Sequence, residues 1–241
     1  LGRLEGAFAL GIIFSGEQNL MIAARHGSPL AIGYGEGEMF LGSDALALAP
    51  MTQRITYLED GDWAVIHSTS VVVRDQNGII IKRPIQTTEI SGALTGKAGY
   101  AHFMLKEIYE QPQVIGDTLH SFINPADQTI NLPDFPFDLS SVPKITISAC
   151  GTAFYAALTA KYWFEKIARV PVEVDIASEF RYREIMMPEG GLAIFISQSG
   201  ETADTLAALR YCRQQGQQIL SIVNVPESTI ARESDAVLRT Y

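Results

Sequence analysis

The hydrophobic positions divide the chain into two parts with different rhythms. In the first part, short apolar runs are separated by turns rich in Gly, Pro and Asp, which is typical of antiparallel strands. The run at 7–14 is continuously apolar, which predicts a strand buried on both faces. One short helix is expected over 44–49, with Ser43 as its N-cap. The expected strands of this part cover 7–14, 20–24, 30–34, 38–42, 54–58, 62–67, 70–74 and 79–83.

From residue 144 onward, apolar runs alternate with longer segments of helical periodicity. This alternation predicts a doubly wound parallel sheet with helices on both faces. Tyr162, Trp163 and Phe164 lie on the first of these helices, and aromatic side chains in such a place usually belong to the core. The expected strands are 144–148, 172–175, 192–196 and 218–223, and the expected helices are 152–169, 178–183, 202–214 and 229–233.

The segment between the two parts has the composition of a connector. Residues 86–99 are polar and rich in Gly, Ser and Thr, and a helix is expected over 103–111 that ends before Pro112. Four prolines in 124–143 predict a loop with at most one short helical turn. We therefore expect a first domain over 1–85, a linker over 86–143, and a second domain over 144–241.

The strongest chemical motif follows the predicted strand at 192–196. It reads Ser197-Gln-Ser-Gly-Glu-Thr202 and leads into a helix. Such a turn directs backbone amides and the positive end of the helix dipole at one place, and three hydroxyls can donate to phosphate oxygens. The turn contains no Lys or Arg, so a sugar phosphomonoester suits it better than a nucleoside triphosphate. The alternative is an ordinary helix start in which Ser and Thr serve only as caps.

A second turn of the same kind follows the strand at 144–148, with the sequence Cys150-Gly151-Thr152. Thr152 is the better candidate for a phosphate or sugar contact. Cys150 has no histidine near it in sequence, so we interpret it as a small residue packed where strand meets helix rather than as a nucleophile.

Composition narrows the classes of function. The 241 residues carry a net charge of −9, which argues against a nucleic-acid surface. No run of 18 apolar residues is present, so we expect no membrane span. Two cysteines do not make a disulfide framework, and the four histidines have no metal-ligand spacing, so we expect a cytoplasmic protein without a metal. Because the chain starts at Leu1 and ends just after a strand-like segment, we also expect a fragment.

Taken together, these motifs resemble the glucosamine-6-phosphate synthase family, also called glutamine–fructose-6-phosphate aminotransferase (isomerizing). The first sugar-isomerase (SIS) domain of that family is similar to the two turns, to residues 177–183 and to 224–228. The segment 102–112 resembles its linker. Residues 4–8, 23–30 and 32–44 resemble the later part of its class II glutaminase domain, which is Ntn-hydrolase-like with antiparallel sheets.

The resemblance implies roles for particular residues. Sugar-phosphate contacts would come from Thr152, Ser197, Gln198, Ser199 and Thr202, and Cys150 and Gly151 would line the same pocket through their backbone. The family often has a serine after Cys-Gly-Thr, whereas this chain has Ala153, which cannot supply that hydroxyl contact. The resemblance also implies fructose 6-phosphate and glucosamine 6-phosphate as ligands, no cofactor, and a homodimer formed through the isomerase domain.

Two other functions remain open at this point. SIS domains also serve as sugar-phosphate-binding modules of transcriptional regulators, but a regulator would carry a basic helix-turn-helix before the domain, and here the preceding sequence is strand-rich. A different class II amidotransferase, such as that of the purine pathway, would follow its glutaminase with a phosphoribosyl-type domain rather than with these two turns.

The resemblance predicts that the isolated chain is inactive. The family's N-terminal nucleophilic cysteine, its isomerising glutamate, its ring-opening histidine and its Schiff-base lysine match no position of this sequence, so no catalytic residue is assigned. We expect the chain alone neither to hydrolyse glutamine nor to make glucosamine 6-phosphate. A coupled enzymatic assay checks this, and turnover by the purified chain would contradict it.

Overall fold

The computed structural model describes residues 2–88 and 96–241. The chain divides into two units, Leu1–Ala101 and His102–Tyr241. Residues 89–95, in the middle of the predicted connector, lie outside the described residues, as does Leu1.

The first unit is built from antiparallel strands, as expected for its sequence. One sheet has the order β1(Phe8–Ile13), β2(Met21–His26), β6(Trp63–His67), β7(Ser70–Arg74), β8(Ile80–Ile81). The other has the order β4(Met39–Gly42), β3(Ala31–Tyr34), β5(Arg54–Tyr57), β9(Gln86–Thr87). Side chains from both sheets share one core, to which Ala23, Ile32 and Ile66 contribute. The short helix α1(Ala45–Leu48) packs on β3 and β5.

Two details of this unit differ from the expectation. Strand β1 is largely exposed rather than buried on both faces, and Ile13 is 78% exposed. An apolar run does not reveal which residues cover its two faces, because those residues come from elsewhere in the chain. The N-cap of α1 is Asp44 rather than Ser43: the Asp44 carboxylate accepts from the Ala47 amide at 2.8 Å, and the Ser43 hydroxyl donates to that carboxylate at 2.9 Å.

The helix that opens the second unit is longer than the sequence suggested. Helix α2 spans Phe103–Phe122, with Pro112 inside it. A proline removes one backbone hydrogen bond, and here the helix resumes after it, so Pro112 does not act as the stop we expected. The proline-rich segment that follows contains a small hairpin of β10(Ile123–Asn124) and β11(Thr129–Ile130) and a 3₁₀ turn at Leu139–Ser141.

The main sheet of the second unit has five parallel strands, which confirms the predicted α/β class. Its order is β13(Val172–Ile176), β12(Ile145–Ala149), β14(Leu192–Ser197), β15(Gln218–Val223), β16(Ala236–Arg239). Helix α3(Gly151–Trp163), continued by a π-helical turn Phe164–Ala168, packs on one face. Helices α4(Ala177–Phe180), α5(Ala203–Gln214) and α6(Thr229–Arg232) pack on the other. The strands are near-continuous apolar runs because both of their faces are covered.

The aromatic residues of α3 do not all point to the core. Phe164 packs on the core with Ala157, seven residues earlier on the same helix face. Tyr162 and Trp163 are 69% and 64% exposed, so our expectation that they are core residues was wrong. The aromatic character of these two side chains does not indicate which face of the helix packs on the sheet.

Burial predicts that alanine substitutions at two leucines of the second unit lower the unfolding free energy by very different amounts. Leu209 on α5 is fully buried, whereas Leu132 is 48% exposed. We expect Leu209→Ala to cost about 2–5 kcal/mol of unfolding free energy through the cavity it leaves, and Leu132→Ala to cost less than about 0.5 kcal/mol. Native-state hydrogen exchange of the β14 amides measures both losses within this unit, and equal protection in the two variants would contradict the assignment of this core.

Candidate functional site

Both predicted turns lie at the same edge of the parallel sheet. Strands β12 and β14 are direct neighbours, with Ala149 opposite Ile196 at their carboxyl ends. The turn after β12 leads into α3 on one face of the sheet, and the turn after β14 leads towards α5 on the other face. The strand order reverses direction between these strands, and open α/β sheets bind ligands in the crevice that such a reversal creates.

The Ser197–Thr202 turn is organised by its own hydroxyls. The Ser197 hydroxyl oxygen accepts from the Gly200 amide and lies 3.1 Å from the Thr202 hydroxyl. The Ser199 hydroxyl oxygen accepts from the Glu201 amide at 3.2 Å. The Ser199 hydroxyl only accepts, so its proton can be donated to a ligand oxygen, whereas the bond between Ser197 and Thr202 uses the proton of one of those two hydroxyls. Thr202 occupies the N-cap of α5, yet its side chain makes no capping hydrogen bond.

Gln198 projects from the same turn and is exposed. Its side-chain amide donates to the Asn224 side-chain oxygen at 3.3 Å, and its backbone carbonyl accepts from the Asn224 amide at 3.2 Å. Asn224 in turn donates to the carbonyl of Thr240 at 3.0 Å. The turn after β14 is thereby tied to the residues that follow β15 and β16.

Gly200 is required by two separate constraints. Its φ is +65°, in the left-handed region that side-chain-bearing residues rarely adopt. A Cβ at this position would lie 1.9 Å from the Ser228 hydroxyl oxygen and 2.4 Å from the Ser228 Cβ. Ser228 therefore sits in the space that the glycine leaves open.

The Cys150–Thr152 turn presents a small residue and a hydroxyl at the start of α3. Cys150 is the N-cap, partly buried and packed against the core on the α5 face. Gly151 has a φ of +59° with open space around it, and Thr152 is exposed in the first helical turn. Amides in the first turn of a helix have no intrahelical partner, so they remain available to an anion. The other cysteine, Cys212, is fully buried, and burial raises the pKa of its thiol to about 12, so it stays protonated near neutral pH.

The turns contain no cationic side chain, and the described residues bring together no group of three His, Cys, Asp or Glu that could hold a metal. Among residues 2–88 and 96–241, none of the helices combines the length and hydropathy of a membrane span. The groups that the two turns offer to an anion are backbone amides, hydroxyls and the N-terminal ends of helices.

Sequence reasoning gave no role to the residues that hold the Ser197–Thr202 turn in place. Glu201 and Ser228 fall inside motifs quoted above, but their partners are far away in sequence. The Glu201 carboxylate accepts from the amide of Thr229, 28 residues later. The sequence hints at this contact only through Glu201 itself, because an acidic residue is unexpected in a turn that would bind phosphate.

The family model described as "SIS domain" matches residues 138–241. Over the whole of this chain, the glutamine–fructose-6-phosphate aminotransferase (isomerizing) of Bradyrhizobium diazoefficiens is 58% identical and that of Zymomonas mobilis subsp. mobilis is 55% identical. The chain is a relative of one part of these aminotransferases. It covers 40% of the length of each relative. The resemblance stated from the motifs is thereby confirmed.

A solved structure supports the relationship. The C-terminal domain of glucosamine-fructose-6-phosphate aminotransferase from Francisella tularensis is 45% identical, with a TM-score of 0.55. The match covers 60% of this chain and 42% of that one.

Alanine substitutions at two glycines separate the cost of backbone strain from the cost of a steric clash. Gly190 has a φ of +72° but open space around it, whereas Gly200 combines a similar φ with the contact to Ser228. We expect Gly190→Ala to cost about 1–2 kcal/mol of unfolding free energy from strain alone. Gly200→Ala adds the displacement of Ser228, about 1–3 kcal/mol more. Urea unfolding of both variants measures the difference, and equal losses would show that Ser228 does not constrain the turn.

Proposed function

We propose that this chain is part of an enzyme that converts fructose 6-phosphate and glutamine into glucosamine 6-phosphate and glutamate, and that it supplies loops that bind the sugar phosphate. The observation that carries the proposal is the meeting of the Cys150–Thr152 and Ser197–Thr202 turns at the reversal of strand order in the parallel sheet. The identity of 55–58% to curated aminotransferases along the whole chain supports the same reaction.

The proposed binding mode uses dipoles rather than side-chain charge. Helices α3 and α5 both begin at this edge, and their N-terminal amides favour a phosphate dianion. In this proposal the hydroxyls of Thr152, Ser197, Ser199 and Thr202 donate to phosphate oxygens. The side-chain amide of Gln198 has two N–H groups, so it can donate to a sugar hydroxyl as well as to Asn224. Cys150 and Gly151 contribute backbone groups. Ala153 leaves one hydroxyl fewer than the family often has.

We propose three segments for the chain. Residues 1–85 form the later part of a class II glutaminase domain with its antiparallel sheets, residues 86–143 form the linker, and residues 144–241 belong to the first SIS domain. The strand pairing of the first unit supports a glutaminase rather than the DNA-binding helices of a regulator, because this unit contains two antiparallel sheets and one four-residue helix among its described residues.

We also propose a homodimer formed through the isomerase domain, as the resemblance implies. Three exposed aromatic residues of α3 support an interface there: Tyr155, Tyr162 and Trp163 are each more than 60% exposed, and aromatic residues are enriched in contact regions. The two thiols, Cys150 and Cys212, are unpaired in the structure, which supports a cytoplasmic location. No nucleic-acid, membrane or cofactor partner is proposed.

Binding of glucosamine 6-phosphate by the double variant Ser197→Ala/Ser199→Ala tests the proposal. Each hydroxyl is expected to donate one hydrogen bond to a charged phosphate oxygen, which contributes about 1.5–3 kcal/mol. The double variant should therefore bind at least about a hundredfold more weakly by calorimetry. Ser199 is exposed, but Ser197 is the buried last residue of β14 and its hydroxyl accepts from the Gly200 amide, so the Ser199→Ala single variant is measured beside the double variant, and circular dichroism checks that both keep the fold.

The matched control is Ser140→Ala/Ser141→Ala, two exposed serines of the same unit that bond only to Asp138. This control should bind as the wild type does. Glucosamine without its phosphate should bind neither the wild type nor the variants measurably. Equal affinity of the Ser197/Ser199 variant and the wild type for glucosamine 6-phosphate would refute the assignment of the turn.

A further inference from the structure

The segment that follows β15 supports the Ser197–Thr202 turn from behind. We call residues 224–232, which include α6, the supporting segment. Three of its amides donate to the turn: Asn224 to the Gln198 carbonyl at 3.2 Å, Ile230 to the Gly200 carbonyl at 3.0 Å, and Thr229 to the Glu201 carboxylate at 2.7 Å. Two of these three acceptors are backbone carbonyls, and only the third is a side chain.

Helix α6 depends on the turn for its first hydrogen bonds. The first amides of a helix have no intrahelical acceptor. Here Thr229 and Ile230 donate to the turn, and Ala231 donates to the Ser228 hydroxyl at 3.4 Å. Thr229 is 3% exposed, so its amide has little access to water as a substitute acceptor. Loss of the Glu201 carboxylate would leave a buried amide without this acceptor.

The same bond explains an acidic residue in the turn. A carboxylate that pointed into a phosphate site would repel the ligand. Glu201 instead directs one carboxylate oxygen to the Thr229 amide, which donates a charge-assisted hydrogen bond to it at 2.7 Å. Its side chain therefore contacts the supporting segment, while its backbone amide donates to the Ser199 hydroxyl oxygen at 3.2 Å.

We infer that Glu201 is a positioning residue of the proposed sugar-phosphate site. Its carboxylate fixes the Gly200–Thr202 half of the turn against α6, and its amide fixes the Ser199 hydroxyl, so that Ser199 and Thr202 are held in place for the ligand. The inference rests on the proposed function as far as the ligand is concerned. The positioning itself is a property of the unliganded protein and can be measured without it.

Two substitutions distinguish positioning from general stability. Glu201→Ala removes the acceptor, whereas Glu201→Gln retains an oxygen at the same reach that can accept from Thr229. We expect Glu201→Ala to weaken binding of glucosamine 6-phosphate about tenfold, as the loss of one charge-assisted hydrogen bond in the site's support allows. Glu201→Gln should restore affinity to within about threefold of the wild type, because a neutral acceptor keeps the geometry at lower strength.

The matched control is Glu173→Gln on β13. Glu173 forms ion pairs with Lys144 at 2.5 Å and Arg183 at 3.8 Å and makes no contact with the turn. Like the substitutions of Glu201, this one removes a partly buried carboxylate. It should lower the melting temperature without changing the affinity for glucosamine 6-phosphate. Backbone amide chemical shifts of Ser199, Gly200 and Thr229, recorded by NMR without ligand, should move in Glu201→Ala and stay near the wild-type values in Glu201→Gln and Glu173→Gln.

Several results would overturn the inference. Wild-type affinity in Glu201→Ala would do so, as would equal weakening by Glu201→Ala and Glu201→Gln, or a comparable weakening by Glu173→Gln. If the wild type itself fails to bind glucosamine 6-phosphate, the proposed function is wrong. The unliganded amide shifts then still decide whether Glu201 sets the shape of the turn, because unchanged shifts in Glu201→Ala refute positioning.

Discussion

The parallel pairing of β12 with β14 is the constraint on which the candidate site depends. These strands are separated in sequence by α3, β13 and α4, yet their carboxyl ends lie side by side, with Ala149 opposite Ile196. The chain leaves β12 towards one face of the sheet and leaves β14 towards the other. Two helix N-termini therefore begin at one edge, and neither turn alone would provide such a crevice.

This arrangement reconciles an acidic protein with a proposed anionic ligand. The chain carries a net charge of −9, and the turns contain no Lys or Arg. Helix amides and hydroxyls are local donors whose effect falls off within a turn of helix, so the long-range field of the protein does not have to be positive. The one acidic residue of the Ser197–Thr202 turn, Glu201, is bound to the Thr229 amide.

The sequence predicted the parallel-sheet unit well because local patterns determine it. Strand 218–223 was predicted with the observed limits, and 192–196 fell one residue short. Apolar runs bounded by turns are local signals, and alternation with helices selects a parallel sheet. Several errors concern what covers a surface: in the first unit β1 is exposed, and in the second Tyr162 and Trp163 point away from the sheet. Burial of that kind depends on residues distant in sequence, which no local pattern contains.

The candidate site shows the same division between local and distant information. Glycine and hydroxyl spacing located the turns, but the shape of the Ser197–Thr202 turn is set by bonds to residues 26 and 28 positions later, at Asn224 and Thr229. Those partners lie in the segment that follows β15, the strand paired with β14. The shape of the turn is therefore linked to folding of the whole unit, and a ligand that binds only the folded turn must also stabilise the sheet and α6 by mass action.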